Sequence, residues 1–175
     1  MLTLEQEKWI AHLSDVNKIS IVPFDPTAEE KFQRVKQKVQ DSLGTRTLVE
    51  HHGATSLRIS GQDEIDVYIP TPGAKFNSLI NPLKTLFGEP RSLYPLERAR
   101  FVTEELGKHV DVFLINEEHD GWKNGVKFEA YLKFHPEALE EYRQLKENGD
   151  GLSVREYYRR KTEFINGILA KVENP

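Results

Sequence analysis

The segment Glu64-Ile65-Asp66-Val67-Tyr68-Ile69 alternates polar and apolar residues, the period of a β-strand with one buried face. Alternation sends Ile65, Val67 and Ile69 to one side and Glu64, Asp66 and Tyr68 to the other. Carboxylates two residues apart on a strand are separated by roughly 6 to 7 Å along the chain. Their oxygens can converge on hard cations about 3.5 to 4 Å apart, the arrangement of two-metal phosphoryl-transfer sites. Asp111, within His109-Val110-Asp111-Val112 on the last predicted strand, is the candidate third ligand. Mg²⁺ (or Mn²⁺) is the expected ion, because it takes a few carboxylates, keeps waters and lets substrate phosphates complete its shell.

Upstream, the β-branched run Arg46 to His52 leads into the small-residue turn Gly53-Ala54-Thr55-Ser56. Its backbone N–H groups and hydroxyls could cradle a triphosphate at a helix start. Arg58, Arg98, Arg100 and Lys161 are cations able to contact phosphate oxygens. Taken alone, each reads first as a solvated side chain or one paired with one of the many glutamates. His51 and His52 are sent to opposite faces by alternation, so at most one lines a site. No histidine pair has zinc-ligand spacing, and there is no Walker A turn, Rossmann glycine pattern or nucleophile elbow. Tyr131, Tyr142, Tyr157 and Phe164 fall at helical spacing and are read as core rather than as a stacking platform.

The elements that must position these residues follow from period and punctuation. Thr3 with Gln6, Thr27 with Glu30 and Ser153 with Glu156 have the spacing of capping boxes, each ahead of an amphipathic helix. Gly44 stops the second of these helices. Ile19 to Val22 is a brief extended stretch. After the Glu64 strand, Phe76, Leu79, Ile80, Leu83, Leu86 and Phe87 mark a helix expected to break or kink at Asn81-Pro82. Arg98 to Leu106 and Lys108 to Ile115, divided by Gly107, suit a hairpin whose turn type stays open. From Trp122 onward the pattern is helical, restarting at Pro136. The expected fold is α+β, a mixed sheet packed against helices, with C-terminal helices.

The chain has 175 residues, enough for one domain that buries its own core. The expected layout is a single domain over 1–175: a helical extension (1–18), an α/β core (19–118) and C-terminal helices (119–175). With 24 basic and 28 acidic residues the net charge is −4, which argues against a nucleic-acid-coating role. There is no cysteine, so disulfides, thiolate zinc sites, iron–sulfur clusters and cysteine nucleophiles are excluded. No apolar run is long enough to span a bilayer and the start lacks signal-peptide character, so no membrane partner and a cytoplasmic location are expected.

Gly53-Ala54, nine residues, and then Glu64-Ile65-Asp66-Val67 resembles the signature of the DNA polymerase beta-type nucleotidyltransferases. Most of the chain, from about Ile19 to Val172, is more specifically similar to the GrpB family (glutamate-rich protein B). The matching stretches are Ile21 to Pro26, Val49 to Ser56, Glu64 to Val67, His109 to Val112, Phe128 to Pro136 and Tyr142 to Lys146, with Tyr157 and Lys161. The resemblance implies a nucleotidyltransferase-like fold. With the residue reading above, Glu64, Asp66 and Asp111 are expected as catalytic metal ligands, and Gly53, Ala54, Thr55, Ser56, Arg58 and Lys161 as nucleotide contacts; Asp66 corresponds to the family's usual aspartate, whereas the family usually has an aliphatic residue at Glu64 and a histidine at Asp111. Where the family usually has Gly-Ser this chain has Gly53-Ala54, and its Leu57 to Asp63 loop is shorter. Three functions stay open: metal-dependent transfer of a nucleotidyl group from a nucleoside triphosphate to an unknown acceptor, a non-catalytic nucleotide- or partner-binding module, and a structural interaction protein. Acceptor, base preference and oligomeric state are not fixed by the sequence.

Overall fold

In a computed structural model, residues 1–173 are described. They form seven helices and five strands in an α+β fold: α1 (Leu4–Ala11), α2 (Ala28–Leu43), β1 (Glu50–His52), α3 (Gly53–Ser56), β2 (Glu64–Thr71), α4 (Gly73–Phe87), β3 (Ser92–Tyr94), β4 (Arg98–Glu105), β5 (Lys108–Asn116), α5 (Asp120–Phe134), α6 (Pro136–Glu147) and α7 (Val154–Glu173). They divide into a sheet unit (24–59 and 63–123) and a helical unit (1–23, 60–62 and 124–173).

The sheet unit carries the predicted acids. Its strand order is β1-β2-β5-β4-β3, mixed in sense. β2 and β5 run parallel, while the β1–β2, β5–β4 and β4–β3 pairs are antiparallel. One face is dry: Ile65, Val67, Ile69, Ala99, Phe101, Val110, Val112 and Leu114 are fully buried with Phe32, Val35 and Val39 of α2 and Phe76 and Leu83 of α4. These apolar side chains recur every second residue on the strands and every three or four on the helices, which is why the layers interlock. Helix α2 ends at Gly44, whose φ of 106° only glycine adopts at no cost.

Two local expectations change. Thr27 starts α2 without capping it; its N–H and hydroxyl both turn to Asp25 Oδ1 (2.8 and 2.6 Å). Asp25 also accepts from Lys31 at 2.8 Å, so the aspartate, not a capping box, organises this helix start. The second concerns α4, expected to break or kink at Asn81-Pro82: it continues through Pro82 without a break. Proline removes one backbone bond, and burial of Phe76 and Leu83 on either side of it holds the helix together.

The hairpin turn is now defined. Glu105 pairs with Lys108, leaving Leu106 (φ 50°) and Gly107 (φ 76°) as the two-residue loop. Positive φ at both positions is the mark of a type I′ turn, whose twist suits the strands it joins.

In the helical unit Thr3 and Gln6 form the full capping box on α1, and Pro136 occupies the first turn of α6. Ser153 Oγ accepts from the Glu156 N–H at 3.2 Å, so that box is met on one side. Tyr142 stacks on Phe164 (5.4 Å) and meets Phe128 edge-on (5.2 Å), and Tyr157 is fully buried, as the helical spacing of these aromatics implies. In the stretch Ile19 to Val22, Ile19 exchanges backbone bonds with Gly151 and Leu152, and Val22 forms an isolated bridge with Gly61.

Candidate functional site

The sheet face opposite α2 and α4 is the polar one, and register arranges it in rows. His52, Asp66, Asp111 and Val102 lie side by side across β1, β2, β5 and β4. Glu64, His109 and Glu104 form the row on one side of it. Tyr68, Phe113 and Arg100 form the row on the other. Strand alternation therefore delivers Glu64 and Asp66 to this face together. The parallel pairing of β2 with β5 then sets Asp111 directly beside Asp66.

The donor atoms of Glu64, His109 and Asp111 fall within 4.8 Å of one another. His109 Nε2 is 3.0 Å from Asp111 Oδ1. Asp66 directs its carboxylate toward the turn after β1: a Cβ built on Gly53 would lie 2.1 Å from Asp66 Oδ2. Gly53 also has φ 76°, so close approach and backbone both require glycine here. Two carboxylates and an imidazole are hard and borderline donors, and a divalent cation fits them.

Arg100 was one of several candidate phosphate contacts, and the structure gives it a definite place. Its Nε donates to Asp111 Oδ1 and its Nη2 pairs with Oδ2, both at 2.9 Å, the bidentate fork of guanidinium on carboxylate. Burial works against its charge, but the Asp111 hydrogen bonds and the fields of Asp111, Glu64 and Asp66 outweigh it and raise the guanidinium above its ordinary value. Asp111 itself is only 3% exposed.

The turn expected to cradle phosphates follows β1 directly, beside Asp66. Gly53 to Ser56 make the single turn α3 straight from β1. Their hydroxyls are engaged locally: Thr55 Oγ1 lies 2.9 Å from His51 Nε2, and Ser56 Oγ donates to the Gly53 carbonyl at 3.3 Å. Arg58 is exposed just beyond, with φ 58°. Lys161 belongs to α7 in the helical unit, its Nζ 5.4 Å from the Tyr158 ring centre.

The two histidines separate as alternation requires. His51 stacks on Phe32 of α2 (4.7 Å) and reaches Glu29 at 3.0 Å. The Gln33 amide lowers the Glu29 pKa against the opposing pull of burial, and His51 adds to it. His52 lies on the acid face, with Glu50 Oε2 2.9 Å away.

Sequence inspection missed an aromatic row beside the acids. Tyr68 stacks on Phe113 (4.7 Å, 23°), Trp122 tilts against Tyr68 (5.6 Å), and His52 meets Tyr68 and Trp122 edge-on. The signal was present: Tyr68 and Phe113 each follow a site aspartate by two residues. Also unforeseen is the ionic knot of Asp25, Lys31, Lys108 and Asp63. In it the buried Lys108 bonds Asp63 and lies 3.7 Å from Asp25. A cleft of about 920 Å³ is lined by Leu43, Arg46, Ile69, Thr71, Lys75 and neighbours, at the opposite end of β2 from Glu64. Glu64, Asp66 and Asp111 are not part of its lining.

The family model for the GrpB protein matches residues 18–171. The chain belongs to the GrpB family. A UPF0157 protein of Vibrio cholerae is 24% identical over 131 residues, 70% of this chain. The match spans 66% of that relative's length, just under two thirds. The crystal structure of the conserved protein GrpB from Enterococcus faecalis superposes with a TM-score of 0.66 at 19% identity, covering 87% of this chain and 98% of that one. That likeness establishes the fold. In this GrpB member Gly53-Ala54 occupies the turn and His109-Val110-Asp111 the central strand.

Proposed function

We propose that this GrpB-family chain binds a nucleoside triphosphate with a divalent cation on the polar face of its sheet and transfers the nucleotidyl group to an acceptor hydroxyl. The observation that carries the proposal is the side-by-side register of Asp66 and Asp111, with Glu64 two residues before, next to the glycine turn that closes on Asp66. Glu64, Asp66 and Asp111 would hold the ion, Mg²⁺ or Mn²⁺, which supplies charge neutralisation at the reacting phosphate. Backbone N–H groups of Gly53 to Ser56 take the phosphates, since the Thr55 and Ser56 hydroxyls have partners of their own. Arg100 keeps Asp111 in one orientation through both carboxylate oxygens. Tyr68, Phe113 and Trp122 offer a ring surface for the base, and stacking of this kind contributes about 1–3 kcal/mol.

A second reading, a nucleotide-binding module without turnover, is favoured by Ala54 and by the inward engagement of the turn's hydroxyls. Thermal unfolding with ATP, CTP, GTP and UTP, with and without Mg²⁺ or Mn²⁺, tests both. At a hundredfold excess over Kd the complex gains about 2.7 kcal/mol. Asp66→Asn should abolish the metal-dependent part. No shift with any triphosphate defeats both readings, while a shift without pyrophosphate release selects the second.

A further inference from the structure

We infer that the cleft at the Thr71 end of β2 is a second binding site, taking a small organic anion with an apolar body. The head group of that anion accepts a hydrogen bond from Thr71 and is flanked by Arg46 and Lys75. The site stands apart from the function proposed above. Thr71 lies five residues beyond Asp66 (71 − 66), roughly 16 Å along the strand. Alternation also puts it on the opposite face, with Ile69 and toward α2 and α4.

The cleft opens where a ladder stops. β1 pairs with β2 as far as Glu50 and Tyr68. Two residues further the same register would set Leu48 opposite Pro70, which has no N–H to give. The segment entering β1 is instead folded into a turn, closed by a 2.9 Å bond from the Thr47 N–H to the Gly44 carbonyl. The space bounded by that turn, the end of β2 and the start of α4 is about 920 Å³, a size suited to a small molecule. Leu43, Leu79 and Ile69 give it an apolar wall continuous with the core, and Leu48, 53% exposed, extends it.

A buried hydroxyl inside the cleft calls for a partner. Six polar or charged residues are buried among the described residues, and five are bonded: Thr55 to His51, Glu105 to Lys38, Lys108 to Asp63, Asp111 to Arg100 and Lys146 to Tyr157. Thr71, the sixth, is 4% exposed and lines the cleft, and its hydroxyl has no partner among the described residues. Buried polar groups are nearly always satisfied, so a donor left open toward a cavity marks where a ligand oxygen sits.

Charge selects the sign of that ligand. Arg46, Lys75 and Glu117 are the charged residues of the lining, net +1 on a chain of net −4. Among the described residues none of the three has an ion-pair partner, so both cations are available to a carboxylate or phosphate. The field of the α4 N-terminus is already met by Glu118, whose Oε2 would lie 3.1 Å from a Cβ on Gly73. The side chains of the lining therefore decide, and they favour an anion.

The test is calorimetric titration of the full-length protein with octanoate, octyl phosphate and octylammonium. One anion per chain is expected, and whichever of the first two binds tighter names the head group. Octylammonium should bind about tenfold weaker or less tightly still, because both cations repel it. Arg46 and Lys75 are exposed, so Arg46→Gln and Lys75→Gln should fold. Each should weaken the anion roughly two- to fivefold, the range of exposed ion pairs, and Glu117→Gln should tighten it by a similar factor. Thr71→Val keeps the shape of the side chain; it should weaken the anion without lowering the urea midpoint of the empty protein. Binding of neither anion, equal binding of octylammonium, or affinity indifferent to Arg46, Lys75 and Thr71 would each overturn the inference. Asp66→Asn should leave this binding unchanged and Arg46→Gln should leave triphosphate binding unchanged, so the two sites stand or fall separately.

Discussion

Single residues set the site by exclusion as much as by attraction. Gly53 and Gly44 both have positive φ, but only Gly53 faces a neighbour, the Asp66 carboxylate. Gly44→Ala should therefore cost about 1 kcal/mol from the backbone alone. Gly53→Ala adds a collision with Asp66 and should cost on the order of 2–4 kcal/mol. Urea unfolding of the two variants measures the difference, and equal losses would mean that Asp66 yields freely. Asp25 makes a pH-dependent counterpart. The Lys31 ammonium and the Thr27 hydroxyl, working against burial, hold its carboxyl far below the ordinary value of about 3.9. A depressed folded-state pKa contributes stability that is present above the unfolded value and lost as pH falls below it. Asp25→Asn should thus be less stable than the parent at pH 7, with the gap closing below about pH 4. A gap that persists unchanged at pH 3 would assign Asp25 a purely steric role.

At the scale of elements, the β4–β5 hairpin offers a direct gain. Leu106 is 61% exposed and sits in the left-handed region, where a leucine is strained and an asparagine is not. Leu106→Asn creates Asn-Gly in a type I′ turn and should add about 0.5–1 kcal/mol, read as a higher urea midpoint. Element identity was largely legible in the sequence because period and burial agree. Ile65, Val67 and Ile69 announce β2, Phe32, Val35 and Val39 announce α2, and Pro136 restarts α6. Errors arose where a local signal had a stronger competitor. Thr27 has the cap spacing, yet Asp25 takes its hydroxyl; Pro82 signals a break, yet core packing carries α4 past it. The site was half legible. Glu64, Asp66 and Asp111 were recognisable from alternation, and their meeting on one face is a register fact. His109, two residues before Asp111 on the same strand, was available to the same alternation, whereas Arg100 as the partner of Asp111 depends on the β4–β5 register, which stayed open as long as the turn type did.

Across the whole chain, the crossings between units fall at Pro23/Phe24, Ile59/Ser60, Gln62/Asp63 and Lys123/Asn124, so neither unit is one continuous segment. Within the sheet unit β5 is the central strand, bonded on both sides, and β1 and β3 are short edges. Native-state hydrogen exchange should show slowest exchange in β5, then β2 and β4, with β1 and β3 fastest. Rapid exchange at Val110 or Val112 would contradict that order. The same centrality has a kinetic meaning. β2 and β5 are parallel neighbours whose facing aspartates, Asp66 and Asp111, lie 45 positions apart (111 − 66). Their pairing closes a loop that carries α4 and the β3–β4 segment, and closing so long a loop is entropically slow. On the proposed function, capture of a cation by these residues during refolding would report the moment the crossover closes, making the site a clock for the longest-range strand pairing in the sheet.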